Sequence, residues 1–419
     1  MAQIDIGYEL ALQRALENVL PMKEEVIPIN RAAGRIAFRS VHASVDSPSV
    51  EVSFKDGYGV VSDDLVHACP EKPVTLKIVG QTFAGEAPTA IVTSGAAVRV
   101  LSGAALPSGA DAVLADEFVI ADGNVVHATA DAEPGRNILK KGCDVCRNAI
   151  VAEKGDCLTP QRIGLMAAGG ISEIPVFRLP RIGLLATGSE LVLPGRPIGP
   201  GMVHASNVML QQAWLSSRGI PSCITTVKDS TALISEALMR LHAESDVIIT
   251  SGGAWKGDRD LVVKSLESIG WRQIFHRVRM GPGKAVGMGI LKEKPVFCLP
   301  GGPASNESAF MMIALPAVMK IAGFKKFPYM MLEGRLEKSI SGQKDWTQFL
   351  QCEIVARTPQ ILLRSGKLRS RLFAMAKSDA VIAIPEGVSR IPSGAMIPFI
   401  CFNPEIFAAS LPWAGDQEC

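Results

Sequence analysis

Two textures of apolar patterning alternate along the chain. Between about residues 180 and 325, short apolar runs alternate with stretches of helical spacing, and at least three of the runs end in a Gly-rich or Pro-Gly loop. Arg181-Ile-Gly-Leu-Leu-Ala-Thr-Gly-Ser-Glu190 reads as a strand leaving through a glycine loop that carries an acid. Ser206 to Gly219 reads as a helix with a cap at its start and glycine at its end. Ile220 to Val227 is β-branched and Thr231 to Ala243 helical. Val247 to Ile249 suits a strand buried on both faces, ended abruptly by Thr250, Ser251, Gly252 and Gly253. After Gly257 come two acids, Asp258 and Asp260, and then a helically spaced run from Leu261. Lys294-Pro-Val-Phe-Cys-Leu-Pro-Gly-Gly-Pro303 repeats the exit before a long apolar helix, Ala309 to Phe324. This alternation predicts a doubly wound α/β sheet. Its strands leave on one edge, so the polar residues of their loops converge.

The other texture is short strands and many turns. Val45 to about Arg136 has little helical periodicity and reads as a small β domain. Pro328 to Pro412 alternates in the same way and predicts a second β domain. Met1 to Leu20 reads as an amphipathic helix, and Val26 to Asn30 as extended chain. Gly135 to Gly170 is mixed, with a helix over Pro160 to Gly169 entered through Thr159.

Composition narrows the classes. A chain of 419 residues is long for one core and suggests two to four domains. A net charge of +2 gives no reason to expect a nucleic-acid or membrane-surface partner. The N-terminal segment lacks the basic-then-apolar order of a signal peptide, and Ala309 to Phe324 is short for a bilayer and holds Pro316 and Lys320. The expectation is a cytoplasmic protein. Nine irregularly spaced cysteines do not form a disulfide framework, and Cys143-Asp-Val-Cys146 lacks the second pair that a zinc site wants. Six dispersed histidines give no catalytic triad by spacing.

Eight stretches, in order, carry a family likeness. They are Asp56-Gly57-Tyr58; Arg99 to Asp111 with Glu117; Gly135-Arg136-Asn137 with Gly142-Cys143-Asp144; and Thr187-Gly188-Ser189-Glu190. Then follow Ser206-Asn207; Thr250-Ser251-Gly252-Gly253 with Gly257 and Asp260; Pro282-Gly283-Lys284; and Leu299-Pro300-Gly301-Gly302-Pro303. Over nearly its whole length the chain resembles the MoeA family of molybdopterin molybdenumtransferases, which includes the C-terminal domain of gephyrin. The resemblance implies a mixed N-terminal domain (1–45 with 137–179), a small β domain inserted into it (46–136), a molybdopterin-binding α/β domain (180–325) and a C-terminal β-barrel (326–419). It implies molybdenum cofactor biosynthesis: molybdate is inserted into adenylylated molybdopterin and AMP is released, with a divalent cation, usually Mg²⁺. It further implies a homodimer whose cleft joins the α/β domain of one subunit to the inserted β domain of the other, serving a molybdoenzyme or cofactor-pathway protein.

Residue by residue, the likeness places Thr187, Gly188, Ser206, Asn207, Thr250, Pro300, Gly301 and Pro303 on the pterin nucleotide, and Asp56 and Asp144 as acids facing the cleft. The chemistry agrees. Ser251-Gly252-Gly253 before a helix can offer backbone donors to phosphate oxygens. Asp258, Asp260, Glu190 and Asp229 are candidate carboxylates for a hard cation and for catalysis, although Asp258 equally suits a helix cap. Lys284 is the best-placed cation for a tetrahedral oxyanion, ahead of Arg369 and Lys367. Departures from the family lie in the implied cleft: Lys55 before Asp56, Trp255-Lys256-Gly257 after the double glycine, Gly281, Gly302, and Leu368-Arg-Ser-Arg371. They keep a second reading open, a non-catalytic paralogue that binds or carries molybdopterin or the mature cofactor. A stand-alone adenylyltransferase would leave Asp56-Gly57-Tyr58 and the C-terminal domain unexplained.

Overall fold

A computed structural model describes residues 3–253, 261–326, 329–357, 360–365 and 371–402. The chain divides into two compact units, Met1–Lys23 with Phe177–Cys419, and Glu24–Val176.

The larger unit is built on the sheet that the β-branched runs predict. Its strand order is Ser222–Val227, Ile182–Thr187, Val247–Ser251, Lys294–Leu299, Gly287–Leu291 and Trp271–Gly281. The first four run parallel; Gly287–Leu291 is antiparallel to both its neighbours, so Trp271–Gly281 points with the first four again. Alternate side chains enter different cores, as strand geometry requires. Leu185 and Ile248 meet Ile234, Leu238 and Leu241 of the helix Thr231–Glu244 together with Val262 and Leu266 of Leu261–Ser268. Leu184, Val247 and Ile249 face the opposite way, toward Val208 and Leu215 of the helix Ser206–Ser216 and toward Phe310 and Leu315. Both faces are therefore covered by helices, and the three inner parallel strands, Ile182–Thr187, Val247–Ser251 and Lys294–Leu299, are buried along almost their whole length.

Farther along the same unit, five strands close into a barrel. Thr347–Ala356 pairs with Leu362–Ser365, then follow Met330–Leu336, Met396–Cys401 and Ala380–Ile384, which returns to Thr347–Ala356. Met280 and Gly281 pair with Thr347 and Gln348, tying the barrel to the α/β sheet.

In the smaller unit, a six-stranded sheet has the order Ala112–Ala115, Gly57–Val60, Ala96–Val100, Val74–Thr82, Val125–Ala128, Val119–Asp122. Gly57 is obligatory there, because a Cβ would lie 2.1 Å from the Leu114 carbonyl oxygen. The helix Pro160–Ala168 begins as its sequence predicts: the Thr159 side chain accepts the Arg162 N–H at 3.3 Å, and proline occupies the first turn.

Three local expectations are corrected. The N-terminal segment is not one helix. Gln3–Gly7 is a strand running parallel to Trp271–Gly281, and only Tyr8–Glu17 is helical. Asp5 has a φ of 56°, and its carboxylate and carbonyl are held by Arg277 and Arg279, contacts remote in sequence. Ser206 does not cap its helix; Ala205 stands at that position without a side-chain bond. The long apolar helix is three pieces, Pro303–Ala309, a π-turn Phe310–Ala314, and Leu315–Ile321. Pro316 has no N–H to give to the Met312 carbonyl. That carbonyl instead accepts the Tyr8 hydroxyl at 3.4 Å, and the Met311 carbonyl accepts the Tyr329 hydroxyl at 2.7 Å. Burial pushes both phenols upward in pKa, which keeps them as neutral donors. Among the described residues no helix is long and apolar enough to cross a membrane.

Candidate active site

Three neighbouring parallel strands, Ile182–Thr187, Val247–Ser251 and Lys294–Leu299, end on the same edge of the larger unit's sheet. Their exits are stitched together. Gly252 takes a φ of +101° and donates its N–H to the Leu299 carbonyl at 3.1 Å. A Cβ at Gly252 would meet the Thr187 carbonyl oxygen at 2.6 Å, so only glycine lets the two loops approach this closely.

Above these exits lies a cleft of about 400 Å³. Its polar floor is Ser206, Asn207, Ser251 and Gly301, with Glu190 and His204 at the side; Leu191, Val203 and Leu372 supply apolar wall. The side chain of Asn207 donates to Ser251 Oγ at 3.1 Å and to the Gly301 carbonyl at 2.8 Å. Beneath, the buried Asn306 donates to the same Ser251 Oγ at 3.0 Å and to the Pro300 carbonyl at 2.8 Å. Its own oxygen accepts from buried Gln211 Nε2 at 2.7 Å. Carbonyl partners fix the orientation of both asparagine amides. Ser251 Oγ thus accepts two N–H bonds, and its remaining capacity is one O–H to donate. A buried hydroxyl in that condition favours an anionic or carbonyl acceptor in the cleft. Two further hydroxyls at these strand ends, Thr187 Oγ1 and Thr250 Oγ1, are buried without a protein partner among the described residues.

The sequence candidates fall into separate places. Glu190, Ser206, Asn207, Ser251, Gly301 and Pro303 line the cleft together. Thr187, Gly188, Thr250, Gly252, Gly253 and Pro300 form the backbone around it; the Gly252 N–H is engaged with Leu299 and is not a free donor. Asp229 is one step away. Its carboxylate accepts the Ser189 N–H at 3.1 Å while its own N–H donates to Ser189 Oγ at 3.2 Å, a reciprocal clasp that steadies the loop carrying Glu190. Lys284 follows the strand Trp271–Gly281, outside the cleft lining, with its Nζ 4.5 Å from the centre of the Trp346 ring. Asp56 and Asp144 belong to the smaller unit and are both exposed; Asp56 accepts the Ser102 N–H at 2.7 Å. Asp258, Asp260, Lys367 and Arg369 lie outside the described residues.

Residues the sequence reasoning missed are Gln211, Asn306, Leu372 and Trp346. A signal existed for one of them. Val208, Gln211 and Leu215 form the buried stripe of their helix, and a glutamine on such a stripe calls for a buried partner.

The fit to a divalent cation can be judged from the donors. Among the described residues no three His, Cys, Asp or Glu side chains gather around one point. Glu190 is the carboxylate among the described cleft-lining residues. Mg²⁺ ordinarily takes one or two protein carboxylates with substrate phosphate oxygens and water, so a single carboxylate beside an anion-seeking hydroxyl is compatible with it.

Two family profiles match the chain: "MoeA N-terminal region (domain I and II)" over residues 6–170 and "Probable molybdopterin binding domain" over 183–320. A molybdopterin molybdenumtransferase of Haemophilus influenzae is 30% identical over 404 residues, covering 94% of this chain and 98% of that one. Molybdopterin molybdenumtransferase 2 of Mycobacterium tuberculosis is 29% identical over 378 residues, 88% of this chain and 93% of its own. The crystal structure of a molybdopterin biosynthesis MoeA protein from Pyrococcus horikoshii superposes with a TM-score of 0.81 at 27% identity, covering 95% of this chain and 99% of that chain. Likeness of this extent, carried from the small six-stranded sheet to the closed barrel, makes the chain a member of the MoeA family of molybdenum cofactor biosynthesis.

Proposed function

We propose that this protein inserts molybdate at the dithiolene of adenylylated molybdopterin and releases AMP. The observation that carries the reading is the Ser251 hydroxyl. Both its acceptor positions are filled by Asn207 and Asn306, and it sits on the floor of a cleft with apolar walls. A phosphate oxygen takes the hydroxyl proton in a charge-assisted bond, while a planar ring rests against Leu191, Val203 and Leu372. In this reading Glu190, with Asp258 and Asp260, holds Mg²⁺ against the phosphates. The cation would neutralise charge developing on the phosphoanhydride as water cleaves it to AMP and the pterin phosphate. Asp229 positions the Glu190 loop through Ser189. Lys284 holds molybdate, one of whose oxo groups leaves as water with the two protons of the dithiol when its two sulfurs bind the metal. The reading extends to a cytoplasmic homodimer, in which Asp56 and Asp144 of one subunit complete the cleft of the other, and to the four-domain division drawn from the sequence. Its product passes to a molybdoenzyme or a cofactor-pathway protein.

The purified protein, given adenylylated molybdopterin, Mg²⁺ and molybdate, should release AMP in proportion to molybdenum incorporated. Ser251→Ala should weaken nucleotide binding by roughly tenfold, the loss of one charge-assisted bond. Tight binding of the pterin nucleotide with no AMP formed would favour the carrier reading, and full activity of Ser251→Ala would remove the assignment of the phosphate site.

A further inference from the structure

A lysine that is to hold an oxyanion must be fixed in place without having its charge cancelled. A carboxylate partner fixes the ammonium but repels the anion. An aromatic face attracts the ammonium through the ring quadrupole and leaves its net charge intact. Lys284 has the second kind of partner. Its Nζ stands 4.5 Å from the Trp346 ring centre, and no ion pair to it occurs among the described residues.

The surrounding backbone makes this contact a built one. Gly283 takes a φ of +120°, and the turn is closed by Val278 N–H to the Lys284 carbonyl at 2.9 Å and Val286 N–H to the Gly283 carbonyl at 3.1 Å. A Cβ at Gly283 would lie 3.4 Å from the Ser305 carbonyl oxygen, so the turn abuts the helix whose first residue, Pro303, lines the cleft. On the other side, Met280 pairs with Thr347 and Gly281 with Gln348. This register brings Trp346 beside the turn, its Cε3 4.0 Å from where a Cβ of Gly281 would stand.

We propose that Trp346 is a positioning residue of the oxyanion site, holding the Lys284 ammonium on its ring face so that an uncompensated positive charge is presented to molybdate. The inference rests on the reading of Lys284 as the oxyanion donor. Gly281 contributes by leaving the edge of the ring uncovered, where a larger side chain would compete for it.

The test is calorimetric titration of molybdate into the full-length protein, with sulfate as a comparison anion. Trp346→Leu should raise the molybdate Kd about twofold to thirtyfold, with Trp346→Phe in between, and leave pterin-nucleotide affinity unchanged. Fluorinated tryptophans placed at position 346 alone keep the ring's shape and drain its face of negative potential. Molybdate affinity should fall stepwise with each fluorine, a response that packing alone does not give. Lys284→Ala separates the two claims. If it abolishes molybdate binding while the fluorine series is flat, Trp346 has no positioning role and Lys284 keeps its own. If Lys284→Ala binds molybdate as well as the wild type, the oxyanion reading of the lysine fails and the role of Trp346 fails with it.

Discussion

Glu307 is the residue on which solution conditions should act most visibly. It is 9% exposed, on the helix that begins at Pro303, and desolvation pushes its carboxyl up to about 7, against the opposing bond from Gln351 Nε2 at 2.7 Å. The unfolded chain ionises near 4.5, so between these values the native state holds a proton that the unfolded state has lost. Stability from this group is therefore complete below pH 4.5 and declines as pH rises through 7, by about 3 kcal/mol in all. Glu307→Gln keeps the size and removes the titration. Urea denaturation should find the variant more stable than wild type at pH 8 and little different at pH 5. Parallel pH dependence in the two proteins would show that the carboxyl titrates normally. The family departures Gly281 and Gly302 belong to the same scale. Gly302 stands at the cap of this helix, where glycine has no side chain to make a capping bond.

Among elements, the amide chain Gln211–Asn306–Ser251 joins two helices to a strand end, and through the Pro300 carbonyl to a second exit. Its members are buried, so breaking it strands polar groups instead of merely deleting bonds. Asn306→Ala should cost on the order of 3 kcal/mol of stability and also free the Ser251 hydroxyl to turn away from the cleft. Nucleotide affinity should fall in step with stability, whereas Gly302 substitutions should not couple the two. An Asn306→Ala protein that melts like wild type would show that the amides contribute little beyond packing.

The whole-molecule prediction concerns shared clefts. Asp56 and the candidate Asp260 are carried by different regions of the sequence, the first within the unit Glu24–Val176. If the proposed homodimer brings one subunit's Asp56 to its partner's cleft, Asp56→Ala and Asp260→Ala homodimers are each inactive. Mixed dimers then recover activity, because one of their two clefts retains both acids. Verified subunit exchange with no recovery would leave the two acids in unshared sites.

What the sequence determined by itself was the order of local structure and the family. The apolar runs following Arg181, Asp246 and Lys294 read as buried strands, because they are short, almost wholly apolar and bounded by glycine or proline. The glycines after them marked where backbone must pass close to backbone, and the turn-rich C-terminal segment foretold a β domain. Thr159 before Pro160 announced its helix, since both signals act within one turn. Tertiary structure decided the rest, wherever the deciding partner is distant in the chain. Gln3–Gly7 became a strand because the edge of Trp271–Gly281 was there to pair with it. The apolar helix opened at Phe310–Ala314 because Tyr8 and Tyr329 could take up the carbonyls exposed near Pro316. Asn306 and Gln211 met only after two helices had packed, and Trp346 reached Lys284 only through the register of barrel on sheet. Propensity and pattern act over a few residues, whereas hydrogen-bond satisfaction and charge placement are settled by whichever groups the finished fold brings within 3 to 5 Å.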